Sequence, residues 1–199
     1  MYISHAKTTH FHGNVEVRSH LYRILFALTF TGITGLCAQI RFYLPFTPVP
    51  VTGQVFAVLL SGAILGKEYG SLSQLLYVLA GLAGIPWFVL GPVGPTAGYL
   101  VGFILAPCAI GLIREKIRRA HLMSTMLSLT AGLAVIYLFG LLHFTLFTGI
   151  GISRSITLSV LPFLPFDVLK ALLAASIAQI LLHKARVFPY SISRPRYLR

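Results

Sequence analysis

Asp167 and Lys170 are the two residues whose types and spacing most clearly indicate a binding site. Both lie in an apolar run from Leu161 to Leu182, and their i, i+3 spacing places them on one face of a predicted helix, where they can touch. A charge within a membrane-spanning helix costs about 2.5–3.5 kcal/mol and is by default a functional-site hypothesis. The helix dipole would favour Asp167 in a first turn but would disfavour Lys170 there. We predict a ligand-binding pair, and a structural ion pair is the alternative.

A second candidate is the segment 91–99, which reads Gly-Pro-Val-Gly-Pro-Thr-Ala-Gly-Tyr. Glycine lets a ligand approach the backbone closely, and Tyr99 offers an aromatic body with a polar tip. The alternative is an ordinary turn followed by a helix-packing motif in which Gly98 and Gly102 are spaced four residues apart. From the residues alone, a ligand contact and a packing contact are equally supported.

The sequence contains no recognisable catalytic, nucleotide-binding or metal-binding motif. The stretch 62–67 is one residue short of a phosphate-binding loop, and Glu68 follows it where Ser or Thr is required. Cys37 and Cys108 lie in apolar runs, where cysteine behaves as a small hydrophobe. His143 is predicted to be a hydrogen-bonded packing residue. We therefore expect a protein that is not an enzyme and that uses no cofactor and no metal.

The composition indicates that lipid surrounds most of this chain. Of its 199 residues, 56% are hydrophobic and 10% are charged, and the mean hydropathy is +0.84. Soluble domains carry about 25% charged residues, so this chain has too few charges to build a surface that faces water. The net charge of +12 sits in short clusters between apolar runs, as is typical of membrane proteins. Because no nucleic-acid-binding motif accompanies those clusters, we expect no nucleic-acid partner.

Six apolar segments approach the length that crosses a bilayer, which takes about 20 helical residues. The second and third are short, which we attribute to tilting or to a water-filled cavity at their ends. A helical hairpin at Gly66–Gly70, leaving five helices, is the alternative. The first is expected to be a retained helix, because it exceeds the length of about 7–15 residues typical of a cleaved signal. The segments are Leu21–Ile40, Val55–Leu65, Leu72–Ile85, Ala97–Ile113, Met123–Phe147 and Pro165–His183.

Lysine and arginine are distributed unequally between the two sides of this arrangement. The side with both termini, the Lys67 turn and the 114–119 loop carries thirteen of them, and the other side carries Arg41 and Arg154. By the positive-inside rule both termini lie in the cytoplasm, so the number of spans is even and six is preferred. The prediction is an all-α integral membrane protein with a polar cytoplasmic tail at 1–20, a six-helix domain at 21–183 and a basic cytoplasmic tail at 184–199.

The predicted outer loops are 41–54, 86–96 and 148–164, and they hold most of the prolines. Proline fixes φ and removes a hydrogen-bond donor, so these loops should be stiff and shaped. Stiff loops gathered at one end predict the lid of a cavity that opens outward.

Small residues recur at four-residue spacing on two predicted helices. Ala27, Thr31 and Gly35 form one such stripe, and Ala174 and Ala178 form another. This spacing allows helices to approach closely, either within the bundle or against a partner subunit. The sequence does not decide between packing within the bundle and contact with a partner subunit.

Several of these motifs together resemble the BioY family, the biotin-specific S components of energy-coupling factor transporters. The resemblance lies in Leu-Pro-Phe-Thr-Pro-Val-Pro-Val-Thr-Gly-Gln at 44–54, the stretch 60–86 with Leu-Gly at 65–66 and Gly-Ile-Pro at 84–86, Gly-Pro-Thr-x-Gly-Tyr at 94–99, and Asp-x-x-Lys at 167–170. It extends over about 21–183. It implies a six-helix S-component fold that captures biotin from outside and delivers it inward with a transmembrane coupling subunit and two ATPases.

The resemblance also implies roles for individual residues. Asp167 would accept ureido N–H bonds from biotin, Lys170 would pair with the carboxylate or the ureido oxygen, and Tyr99 would pack against the ring system. The remaining substrate-binding candidates are Thr52, Gln54, Thr96 and Gly98.

The chain departs from the family's pattern near the predicted lid and in helix one. Phe166 stands where the family usually has Gly before the Asp, and the loop near 88–94 is shorter. Thr31 replaces the alanine often found in the helix-one stripe. The alternatives to biotin import are an ion-coupled secondary transporter of another small anionic molecule or vitamin, a membrane-embedded enzyme, and a scaffold subunit. Oligomeric state, including a homo-oligomer, stays open.

Overall fold

Long apolar runs in this sequence fold into a bundle of helices, with one short β-hairpin. The computed structural model describes residues 4–86, 94–117 and 121–187, with side chains over 20–86, 94–117 and 121–183. The elements in that part of the chain are α1 (Ser4–Gln39), β1 (Arg41–Phe42), β2 (Val51–Thr52), α2 (Gln54–Leu82), α3 (Ala97–Lys116), α4 (Leu122–Thr148), α5 (Ile152–Ser159) and α6 (Leu164–Val187). The predicted all-α class is confirmed.

The helix bounds agree with the predicted apolar segments for α3, α4 and α6, and differ elsewhere. Helix α1 begins at Ser4, whereas the sequence predicts a polar tail through residue 20 and a helix only from Leu21. Helix α5 lies in the segment 148–164, which was wrongly predicted to be loop throughout. Its fully buried residues are Ser155 and Ser159, and the partly buried Leu158 packs against the core, so this eight-residue helix is too short and too polar for hydropathy to mark it as a buried element.

Helix α2 is a hairpin of two antiparallel arms, 54–65 and 67–82. Gly66, between them, has φ 76° and ψ −168°, a conformation that essentially only glycine adopts. A Cβ on Gly70 would lie 3.2 Å from the Cα of Gly62, and Gln54 Nε2 donates to Tyr77 Oη at 2.6 Å. In a straight helix 23 residues would separate that last pair by about 35 Å. The chain therefore reverses at Gly66, between the predicted second and third segments.

Five helical stretches are long and apolar enough to cross a membrane among the described residues: 20–39, 54–82, 97–116, 122–148 and 164–183. Because the second of these folds back on itself, it supplies two apolar arms. The arms are about 18 and 24 Å long at 1.5 Å per residue, so each is shorter than the roughly 30 Å hydrocarbon layer. Large apolar side chains such as Leu25, Leu127 and Leu172 remain exposed on the outside of the bundle, as a lipid environment requires.

Contacts at one end of the bundle place the basic turns next to one another. His20 Nδ1 lies 2.6 Å from Tyr69 Oη, and Arg23 lies over the Tyr69 ring at 5.7 Å. Beside them, Lys67 Nζ pairs with Glu115 at 2.9 Å. The middle of α1, the tip of α2 and the end of α3 therefore meet, as the charge distribution predicts.

The opposite end is built from the β-hairpin, α5 and the start of α6. Arg41 pairs with Thr52 and Phe42 with Val51 in an antiparallel register. Thr47 Oγ1 donates to Leu158 O at 2.7 Å. This bond ties the proline-rich 41–54 segment to α5, so two of the three predicted lid loops are joined. Most of the third, 86–96, lies outside the described residues.

The small-residue stripes pack inside the bundle. Helix α1 packs on α2, α2 on α3, α3 on α4, and α6 closes against α2 and α4. Ala27 and Thr31 are buried, and Thr31 Oγ1 reaches across to Ser73 O at 2.9 Å. Ala174 and Ala178 are fully buried in the same core. Of the two explanations for these stripes, packing within the chain is the one these contacts support.

Candidate ligand-binding site

Asp167 and Lys170 form an ion pair in the first turns of α6. Lys170 Nζ lies 2.7 Å from Asp167 Oδ1, and the side chains are 17% and 4% exposed. The helix begins at Leu164, and Pro165 fits its first turn because the amide hydrogen that proline lacks would have no helical partner there. The prediction that these two residues touch is confirmed, and the contact is nearly buried.

Tyr137 completes this polar cluster from α4. Its hydroxyl donates to Asp167 Oδ2 at 2.7 Å, so each oxygen of the carboxylate has one donor. We name Asp167, Lys170 and Tyr137 the polar triad. Sequence reasoning missed Tyr137, because thirty positions separate it from Asp167 and nothing local marks it. The one available signal was a polar-tipped aromatic residue within the otherwise apolar stretch 131–142 of α4.

The polar triad faces a cavity of about 650 Å³, its mouth included. Six of the seven predicted site residues line it, and eight lining residues were not predicted. The lining consists of Val49, Pro50, Thr52, Gln54, Val55, Thr96, Tyr99, Leu100, Phe103, Ile136, Tyr137, Phe163, Asp167 and Lys170. An apolar wall with a few convergent polar groups is the usual architecture of a ligand site.

Tyr99 lines the cavity with its ring, while its hydroxyl is engaged elsewhere. The hydroxyl donates to Ser159 O at the end of α5. The ring packs against Gly140, where a Cβ would lie 2.4 Å from a ring carbon. Tyr99 therefore offers a ligand an aromatic surface and holds α5 in place with its polar tip.

Gln54 is held by the other arm of its own hairpin. Its amide nitrogen donates to Tyr77 Oη at 2.6 Å, and Gln54 and Tyr77 are 7% and 0% exposed. Because Tyr77 fixes the amide, the side-chain oxygen of Gln54 has a defined orientation at the cavity wall.

Gly98 is the predicted site residue that does not line the cavity. A Cβ at this position would lie 2.3 Å from both His143 Cβ and Phe139 O. One turn later, a Cβ on Gly102 would lie 2.7 Å from Ile136 Cα. The two glycines allow α3 to approach α4, which is the packing alternative, and the ligand contact expected at Gly98 is corrected to a helix–helix contact.

His143 behaves as the sequence predicts. Its Nε2 lies 3.2 Å from Gly94 O, and its ring stacks on Phe147 at 5.8 Å. In the described part of the chain, no group of three His, Cys, Asp or Glu residues could hold a metal ion.

Phe166, the residue that departs from the family's pattern, contacts the β-hairpin. Its ring lies edge-on to that of Phe42, with centroids 5.3 Å apart. Such pairs contribute about 0.5–1.5 kcal/mol beyond the burial of their area. The second departure near the predicted lid, the shorter loop near 88–94, lies almost entirely outside the described residues.

These features define a class: an all-helical membrane protein with a cavity at one end of its bundle, lined by apolar residues and a buried ion pair. The model of the BioY family matches residues 8–187. The chain belongs to the BioY family.

Individual relatives agree with that assignment. The biotin transporter BioY of Thermotoga maritima is 42% identical over 75% of this chain and 89% of its own length. A probable biotin transporter BioY of Pyrococcus horikoshii is 40% identical over 75% and 90%. A crystal structure of the S-component for biotin from an ECF-type ABC transporter superposes with a TM-score of 0.77 at 22% identity, covering 82% of this chain and 92% of that one. The fold is therefore that of an S component.

Proposed function

We propose that this chain is the biotin-binding membrane subunit of an uptake transporter. The observation that carries the proposal is the polar triad at the wall of a largely apolar cavity. Biotin has a compact apolar ring body, a ureido group with two N–H donors and one acceptor, and a carboxylate. Relatives named as biotin transporters, at 40–42% identity over three quarters of this chain, support the same ligand.

The cavity suggests how the ligand lies. Asp167 is the one carboxylate that lines it, so it accepts the ureido N–H groups. Lys170, which is the more exposed partner, turns toward a ligand acceptor, either the ureido oxygen or the carboxylate. The thiophane ring packs against Tyr99 and the neighbouring apolar residues, and Thr52, Gln54 and Thr96 supply polar contacts at the wall.

We propose six membrane-crossing segments, with both arms of α2 counted, and both termini in the cytoplasm. The basic turns gather at the end opposite the cavity, which the positive-inside rule assigns to the cytoplasm. The cavity then opens outward beneath the proline-rich lid, in the plasma membrane. Helix α2 begins at Gln54 beside the cavity and reverses at Gly66 beside the basic end, so its two arms run between the two proposed membrane faces.

Energy for import comes, in this proposal, from a transmembrane coupling subunit and two ATPases. The chain carries no phosphate-binding loop of its own. It has no enzymatic step and no cofactor. A secondary transporter of another small anion is the alternative, and it would show uptake that persists without ATP but collapses with the proton gradient.

Binding of labelled biotin to the purified protein tests the proposal. We expect saturable binding that excess unlabelled biotin displaces, and uptake into proteoliposomes only when the coupling module and ATP are present. Absence of saturable binding would overturn the proposed function. Binding with uptake that follows a proton gradient alone would favour the secondary transporter.

Tyr137→Phe is expected to weaken biotin binding by about tenfold or more. The substitution removes the hydrogen bond to Asp167 Oδ2, and a bond to a charged group contributes about 1.5–3 kcal/mol. Equilibrium binding beside Tyr69→Phe, whose hydroxyl contacts His20 at the opposite end, supplies a matched control. Equal affinities of the two variants would contradict a role for Tyr137 in the site.

A further inference from the structure

We propose that Arg41 recognises the anionic group of the ligand at the mouth of the cavity. This inference rests on the proposed function and names the residue that selects an acid over a neutral analogue. Arg41 lies in β1, exposed, and no sequence motif marks it.

The charge balance of the site favours a further cation for the ligand carboxylate. Lys170 is already paired with Asp167 at 2.7 Å, and those two charges cancel. Tyr137 occupies the other carboxylate oxygen and adds no charge. An incoming carboxylate therefore meets a neutral cluster, unless another basic residue lies at this end.

The β-hairpin puts Arg41 where that cation is needed. Arg41 is directly opposite Thr52 in the β1–β2 register, and Thr52 lines the cavity. Opposite residues of an antiparallel pair share one face, with Cβ atoms about 4.5–5.5 Å apart. The long side chain of Arg41 thus begins beside the cavity wall.

Anchoring of the hairpin fixes this position. Gly53 N donates to Ile40 O at 2.9 Å, and a Cβ on Gly53 would lie 2.8 Å from Cys37 O, so the hairpin base sits against the end of α1. Phe42, next to Arg41, packs on Phe166 beside Asp167. The hairpin is therefore held at both the α1 and the α6 side of the mouth.

The charge of Arg41 is also available to bind an anion. In the described part of the chain, the ion pairs are Lys67–Glu115 and Lys170–Asp167, and neither involves Arg41. Glu68 lies beside Lys67 at the far end, so among the residues whose side chains are described, Asp167 is the acid near the mouth. An arginine there can bind a carboxylate through two parallel hydrogen bonds.

The test compares biotin with biotinamide, in which the carboxylate becomes a neutral amide, on wild type, Arg41→Gln and Arg154→Gln. Arg154 is the other exposed arginine at this end, on α5. We expect Arg41→Gln to weaken biotin about tenfold and to leave biotinamide within twofold, because only the acid loses a charge-assisted contact. Arg154→Gln should change neither.

The outcomes separate the inference from the function it rests on. Equal loss for both ligands in Arg41→Gln, or no loss for either, would overturn the role of Arg41 while biotin binding by wild type stands. Loss of acid preference in Lys170→Ala but not in Arg41→Gln would assign the carboxylate to Lys170 instead. No binding of biotin by wild type would overturn the proposed function itself, and this inference with it.

Discussion

Lys170→Met is expected to abolish biotin binding and to destabilise the protein by about 3–5 kcal/mol. The substitution leaves Asp167, which is 3% exposed, as a buried carboxylate with only the Tyr137 hydroxyl to stabilise it. Removing one partner of a buried ion pair leaves a charge without compensation, which costs more than the pair itself contributes. Thermal unfolding in detergent and equilibrium binding measure the two effects separately.

Asp167→Asn should destabilise the protein less than Lys170→Met does, but it should weaken biotin binding as much. Lys170 is 17% exposed at its side chain, so its charge can turn toward water in the cavity, whereas the carboxylate of Asp167 cannot. Asparagine keeps an oxygen for Tyr137 but loses the charge that orders the ligand's N–H groups. The double variant Asp167→Asn/Lys170→Met removes both charges, and its stability should return to within about 1 kcal/mol of wild type.

The double variant decides between the two roles of this pair. If the pair binds ligand, Asp167→Asn/Lys170→Met folds stably and does not bind biotin. If the double variant binds biotin as wild type does, the pair is a structural ion pair and the site lies elsewhere in the cavity. Because stability is expected to be restored, loss of binding cannot be ascribed to misfolding.

The sequence predicts the helices well wherever burial is apolar. The bounds of α3, α4 and α6 follow from hydropathy and charge, and the reversal in α2 follows from Gly66 beside Lys67. Helix α5 was missed because its buried face is made of Ser155 and Ser159. Ser159 Oγ donates to Ser155 O within the helix, and buried serines leave no signal in a hydropathy pattern.

The proposed site was predictable where two of its residues share one helix turn. Asp167 and Lys170 are such a pair, and their contact needs no knowledge of the tertiary structure. Predicting Tyr137 and Arg41 does require the tertiary structure, because α4 and the β-hairpin reach the site only through packing and strand register. Gly98 shows where the sequence alone does not decide. A glycine that leaves room for a ligand and a glycine that leaves room for a neighbouring helix have the same local sequence.

Gly98→Ala is expected to destabilise the protein by about 3 kcal/mol, near the upper end of the usual cost of overpacking. The new methyl group would lie 2.3 Å from the Phe139 carbonyl oxygen and from His143 Cβ. Neither is the far end of a flexible side chain, so α3 and α4 would have to move apart. Because Tyr99 follows Gly98 directly and packs on Gly140 of α4, the separation would also displace a residue of the cavity wall.

Gly32→Ala is the matched control, since nothing lies within 4 Å of a Cβ at Gly32 in α1. Alanine in an open helical position should leave stability unchanged or raise it by about 0.5–1 kcal/mol. Thermal unfolding of both variants without ligand separates packing from binding, because the clash at Gly98 exists in the empty protein. A Gly98→Ala protein with wild-type stability but weakened biotin binding would contradict the helix contact and restore Gly98 to the ligand site.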